Sequence, residues 1–161
     1  MSELCIDASV VVKLVLAGES HRASARRLLE DCLVNNVTLI APPCFEAEVD
    51  NAIRKRLYAG RLSPTEARKA FMGLDMIPVR LCTHPRLRQR TREIAEQFNL
   101  RSVYDASYAA LAELGGCEFW TADMVFYNTV KAGLTFVRYL PDYPCRPIQS
   151  FPGQIRVGTY S

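Results

Sequence analysis

Five short apolar runs, at residues 4–6, 38–41, 76–81, 118–121 and 135–140, alternate with stretches of helical spacing, and this alternation constrains the fold more than any other feature. Runs of that length, each ended by small, polar or proline residues, read as buried strands. Between them the apolar side chains recur every three or four positions, as in Leu28, Leu29, Cys32 and Leu33, or Phe45, Val49, Ile53 and Leu57. Helix punctuation agrees. Ser20 is expected to cap the segment running to about residue 35, and Pro43 to open the next. Ser63-Pro64-Thr65-Glu66 reads as a capping box, in which a hydroxyl and a carboxylate satisfy each other's backbone N–H groups. Pro85 is expected to open an arginine-rich helix, and Ser102 to cap one stopped by Gly115-Gly116. Short helices are further expected at 10–16 and 124–131. Strands separated by single or paired helices predict an α/β fold, a three-layer α/β/α sandwich with a mainly parallel central sheet.

With 161 residues, 49% of them hydrophobic, the chain suits one domain with a full core. The strand and helix pattern fills residues 1–140. Pro141, Pro144, Pro147 and Pro152 mark residues 141–161 as a tail of little helix potential, in which 154–160 could add a strand or cover a partner. The run at 10–16 is broken by Lys13 and has no basic leader, so it reads as neither signal peptide nor membrane span. Six cysteines are scattered with no CxxC, which predicts reduced core residues in a cytoplasmic protein rather than a disulfide framework. A net charge of +3 permits a polyanionic partner without demanding one.

Asp7, Asp105 and Asp123 stand where apolar segments give way to small or polar residues, and an acid accompanies the stripe of the 43–58 helix. In an alternating fold the strand ends converge on one edge, which would bring these acids together. Two carboxylates 4 Å apart repel by roughly 4 kcal/mol at an effective dielectric near 20. A shared cleft therefore calls for protonation or a cation. With two histidines and no cysteine pair at ligand spacing, the fitting cation is a hard one taken by oxygen, Mg²⁺ or Mn²⁺. Each acid also has a plainer reading: Asp7 and Asp123 as helix N-caps, Asp105 as the returning half of a capping box with Ser102. Spacing alone leaves Glu46 and Glu48 open as the helical acid.

Ile6-Asp7-Ala8-Ser9, Glu48-Val49-Asp50-Asn51-Ala52-Ile53, Tyr104-Asp105-Ala106 with Leu111-Ala112-Glu113, and Trp120-Thr121-Ala122-Asp123 occur in the order found in PIN domains. Over residues 4–140 the chain resembles PIN-domain ribonucleases of the VapC kind, toxins of prokaryotic toxin–antitoxin pairs. The resemblance implies a PIN-like sandwich and catalytic positions at Asp7, Glu48, Asp105 and Asp123, with Asp7, Asp105 and Asp123 holding the metal. Glu48 is preferred to Glu46 because the family places Asn three residues after its helical acid, and Asn51 stands there. Ser9 and Thr121 match the family's supporting hydroxyls. The implied chemistry is Mg²⁺- or Mn²⁺-assisted hydrolysis of RNA phosphodiesters. The implied partners are an RNA substrate, a small antitoxin protein and a second copy of the chain in a homodimer, with no membrane.

Arginines flank these motifs in two groups, 54–69 and 86–92. Arg54, Arg56, Arg86 and Arg90 are the expected phosphate contacts, since an acidic cleft would itself repel RNA. No aromatic motif for single strands stands out. His21 and His84 fit no site pattern. A haloacid-dehalogenase-like phosphatase would repeat its acid where Ser9 stands, and a receiver-like domain would need an acidic pair where Cys5-Ile6-Asp7 offers one acid. The remaining rival is a PIN-like module that binds RNA or a partner without cutting.

Overall fold

Strands β1 (Glu3–Ile6), β2 (Thr38–Ala41), β3 (Val79–Leu81), β4 (Glu118–Thr121) and β5 (Val137–Tyr139) form a parallel sheet in the order β3-β2-β1-β4-β5. This arrangement comes from a computed structural model, which describes residues 2–143. Leu4 is in register with Leu39 of β2 on one side and Glu118 of β4 on the other. The three central strands are buried almost throughout, whereas the edge strand β3 exposes Arg80 and Leu81. Burial on both faces is why these runs lack apolar–polar alternation.

Seven α-helices among the described residues join the strands: α1 (Ala8–Val15), α2 (Arg22–Val34), α3 (Phe45–Tyr58), α4 (Pro64–Asp75), α5 (Leu87–Gln97), α6 (Val103–Gly115) and α7 (Met124–Val130). Helices α1 to α4 pack on one another, while α5 and α6 pair and α6 lies across β1 and β4. Right-handed crossovers place these two groups on opposite faces of the sheet. The result is the three-layer sandwich that the alternation implied. Val49 and Ile53 of the α3 stripe are fully buried, with Phe45 nearly so.

Punctuation held in part. The Ser63–Glu66 capping box forms, with Glu66 N–H donating to Ser63 Oγ at 3.2 Å and Ser63 N–H to Glu66 Oε2 at 2.7 Å. Ser20 does not cap α2. That place falls to His21, in the left-handed region at φ 59° with no side-chain bond, while Ser20 Oγ accepts from Lys13 Nζ. Pro43 precedes the cap of α3, Cys44, and Pro85 precedes Arg86, the cap of α5. The third and fifth strands are shorter than their apolar runs, because Met76 ends α4 and Thr135 and Phe136 precede the β5 pairing.

Deep in the sheet, Glu118 is 2% exposed. It accepts from the indole N–H of Trp120 and from Arg138 Nε, both at 3.0 Å. Beyond β5 a 3-10 turn, Leu140–Asp142, carries Tyr143 back against α2, where its hydroxyl donates to Asp31 and its ring meets Trp120 edge-on at 5.2 Å. The expectations for residues 144–161, including a strand at 154–160, lie outside the described residues. Cys5, Cys32 and Cys117 are buried and unpaired, with Cys44 and Cys82 partly buried and also unpaired. Among the described residues, no helix is long and apolar enough to cross a membrane.

Candidate active site

The chain lays down β1, β2 and β3 in one direction, then returns to add β4 on the far side of β1. Sheets of this kind open a crevice beyond the carboxyl ends of the strands at the reversal, here between β1 and β4. Asp7 is the first residue past β1, and Asp123 lies two past β4. Helices α3 and α6 start at the same edge, with Glu48 and Asp105 in their first turns.

Two hydroxyl relays tie the strand exits together. Ser9 N–H and Ser9 Oγ donate to Asp7 Oδ1, and Ser9 Oγ accepts Ala122 N–H at 3.0 Å. Thr121 Oγ1 donates to Asp7 Oδ2 at 2.5 Å and accepts Asp123 N–H at 3.0 Å. Asp7 also caps α1 through Ser9 and Val10 N–H, and Asp123 caps α7 through Phe126 N–H at 2.9 Å. The cap reading and the cleft reading of these acids are therefore both met. Asp7 is only 3% exposed. Burial pushes its carboxyl up to about 6, against the pull of the Ser9, Thr121 and Val10 donors.

Asp105 behaves differently. Ser102 Oγ accepts from Tyr104 N–H, so Ser102 caps α6, but no hydrogen bond among the described residues reaches the Asp105 carboxylate, and the capping box is not closed. Burial, then the charges of Asp7, Asp123 and Glu48, push the Asp105 carboxyl up to about 7. All four acids thus share one electrostatic neighbourhood. No ion pair among the described residues involves any of them.

Glu48 is held by the Tyr108 hydroxyl, which donates to Oε1 at 3.0 Å from a buried ring stacked on Phe119. Glu46 is exposed and is not among the charges acting on Asp105. From Glu48 a groove of about 900 Å³ runs along α3, lined by Asn51, Lys55, Arg56, Arg61 and Tyr104. Cys44 lies at its margin. Burial and the nearby Glu48 push that thiol up to about 11 against a Ser107 hydrogen bond, so it stays neutral and is no thiolate ligand.

The expected phosphate contacts scatter. Arg54 and Arg86 are exposed. Arg56 lines the groove but donates to Glu19 Oε1 at 3.0 Å and to Ala52 O. Arg90 is committed to Glu113, at 2.5 and 3.0 Å, and to Glu93, fastening α5 to α6. Lys55 and Arg61 line the groove with no ion-pair partner among the described residues. Tyr108 was not singled out in the sequence, and Tyr104 stood there only as the neighbour of Asp105 in its motif. Tyr108 stands three residues after Asp105 in an alanine-rich helix, which was the available signal. Tyr104 supplies an exposed aromatic beside the acids where no single-strand motif was expected.

The donor set at the crevice is all oxygen, which suits Mg²⁺ or Mn²⁺. Among the described residues no three acidic, thiol or imidazole side chains form a ready ligand cluster.

A five-stranded parallel sandwich with acids gathered past β1 and β4 is an α/β fold whose crevice opens where the strand order reverses. The PIN-domain profile matches residues 4–132, and the chain belongs to the PIN-domain family. Its relatives include Ribonuclease VapC1 of Mycobacterium tuberculosis, 34% identical over 70% of this chain and 79% of the relative. Ribonuclease VapC12 of the same organism is 31% identical over 74% and 86%. PAE2754 from Pyrobaculum aerophilum has the same fold, with a TM-score of 0.60, 22% identity and coverage of 87% and 92%. So does M. tuberculosis VapC20, described as a sarcin-ricin loop cleaving toxin, with a TM-score of 0.60, 18% identity and coverage of 84% and 98%.

Proposed function

We propose that this chain is a ribonuclease that hydrolyses RNA phosphodiester bonds with Mg²⁺ or Mn²⁺, acting as the toxin of a toxin–antitoxin pair in the cytoplasm. One observation carries the reading: the Asp105 carboxylate faces three other acids and has neither hydrogen bond nor cation among the described residues. A half-buried charge left in that state marks a place for an incoming cation. Asp7, Asp105 and Asp123 would hold it. A divalent ion, when bound, supplies a stronger water nucleophile at neutral pH and offsets charge on the phosphate being cut. Ser9 and Thr121 keep Asp7 ionised and oriented by donating to both of its oxygens. Glu48, fixed by Tyr108, stands on the groove side to orient the attacking water. Lys55, Arg61 and Arg54 offset the acids' repulsion of the RNA backbone.

The relatives' names support an antitoxin partner, and the groove along α3 is a site for its helix. A homodimer is part of the same proposal. Metal-dependent cleavage of mixed RNA, wild type against Asp7→Asn, tests the chemistry, and EDTA-resistant cleavage would overturn the metal's role. Growth arrest that needs Asp7 and is relieved by the neighbouring reading frame would support the toxin role. Harmless expression of an active nuclease would overturn it.

A further inference from the structure

Tyr104 is 54% exposed at the start of α6 and lines the α3 groove opposite Glu48 and Asn51. Its backbone is pinned from both sides. Its N–H donates to Ser102 Oγ at 3.2 Å, and its carbonyl accepts Ser107 Oγ at 2.6 Å, with Ser107 in turn against Cys44 of the α3 start at 3.4 Å. The side chain is not pinned. Among the described residues its ring stacks on no other aromatic, and its hydroxyl has no hydrogen-bond partner. A rigidly presented, unpartnered ring lies next in sequence to Asp105. Farther along the groove the cations divide. Glu19 holds Arg56, whereas Lys55 and Arg61 are uncommitted.

We infer that Tyr104 is a specificity-determining residue, a platform on which a base of single-stranded RNA stacks while Lys55 and Arg61 take phosphates of the same strand. This rests on the ribonuclease reading and deepens it, since it selects the substrate's form. Aromatic rings accept any unpaired base because every base has a π face. A base held in a duplex is already stacked on both sides and cannot lie on a side chain. The groove would therefore favour loops and open strands over helices, with little choice of sequence at the stacked position.

The test uses a labelled, unstructured RNA of about twelve nucleotides, within the usual site size, and the same strand annealed to its complement. Binding is read by anisotropy with Ca²⁺ in place of the catalytic cation, and stacking by quenching of a 2-aminopurine base. Tyr104→Ala is expected to weaken single-strand binding by roughly 5- to 150-fold and to abolish the quench. Duplex binding should hardly move, and Tyr104→Phe should restore single-strand binding. Lys55→Ala and Arg61→Ala should each reduce the salt slope for the single strand by about 0.7. Single-strand binding by Tyr104→Ala equal to wild type would overturn the inference and leave the ring to a protein partner. An equal loss on single strand and duplex would overturn it too. Cleavage is read separately: if wild type with Mn²⁺ cuts no RNA while the Tyr104 effects on binding appear, the ribonuclease reading falls and the platform stands.

Discussion

Asp7 and Glu118 are both almost fully buried, at 3% and 2% exposure, yet the protein treats them in opposite ways. Glu118 sits within the sheet with a guanidinium and an indole N–H on its two oxygens. Asp7 sits one residue past a strand and receives only neutral donors and a helix N-terminus. Burying a carboxylate costs several kcal/mol after relaxation. Arg138 offsets that cost for Glu118. For Asp7 nothing of opposite charge does, and its proton affinity rises instead. A buried acid paired with its own cation belongs to the framework, whereas an unpaired one at a strand exit keeps a raised affinity for the proton.

The contrast is easiest to break with paired substitutions. Asp7→Asn, Asp105→Asn and Asp123→Asn should each lower metal-dependent RNA cleavage by more than the roughly 10- to 100-fold typical of residues that merely support a metal ligand. None should lower the melting temperature of the metal-free protein, since Asn can replace Asp7 and Asp123 as a helix cap and the Asp105 carboxylate accepts no hydrogen bond among the described residues. Glu118→Gln should do the reverse. It should cost about 3 kcal/mol of stability, the low end for breaking a buried pair because the Arg138 side chain is 16% exposed, and leave cleavage intact below the melting point. If Asp7→Asn and Glu118→Gln destabilise alike, the distinction is lost.

Removing the relays sharpens it. Ser9→Ala and Thr121→Val should each cost roughly 10- to 100-fold in metal affinity or cleavage rate, because they orient Asp7 without replacing it. Next comes pH. The Asp7 and Asp105 carboxyls bind protons more tightly when folded, at about 6 and about 7, than at their ordinary value of 3.8. Below that ordinary value both states are protonated and the contribution to stability is fully present. It is lost as pH rises through the folded values. The metal-free protein should melt at a higher temperature near pH 5 than near pH 8. Mn²⁺ at a hundred times its dissociation constant should restore about 2.7 kcal/mol at the higher pH. A flat melting profile, unchanged by Mn²⁺, would mean that neither burial nor mutual repulsion raises the proton affinity of these carboxyls. The smallest effect belongs to Glu46→Gln, exposed and outside the cleft, which should shift stability by no more than about 0.5 kcal/mol and leave cleavage intact. Glu48→Gln should not be so mild.

The layers and strands were legible because burial on both faces writes itself as uninterrupted apolar runs. Asp7 and Asp123 were legible as strand-exit acids, and the competing cap interpretation proved compatible with it, since one carboxylate does both. Other features depend on contacts that no local pattern carries. His21 takes the α2 cap through a left-handed backbone rather than a capping side chain. Arg90 looked like a phosphate ligand until α5 docked beside α6 and gave it Glu113, 23 residues away. Tyr108 reaches Glu48 across 60 residues, and that bond, rather than helical spacing, distinguishes Glu48 from Glu46.

The Thr121–Asp7 bond spans 114 residues of sequence, and this separation sets a clock on synthesis. During translation the first acid emerges early, while its partner hydroxyl comes only with the last residue of β4 and Asp123 two residues later. At about 5–20 residues per second that interval is roughly 6–23 s. Through that time the growing polypeptide has no strand exit to set against Asp7, and the cleft does not exist. A site drawn from both ends of the sequence is thus among the last features of the fold to assemble as the polypeptide is made.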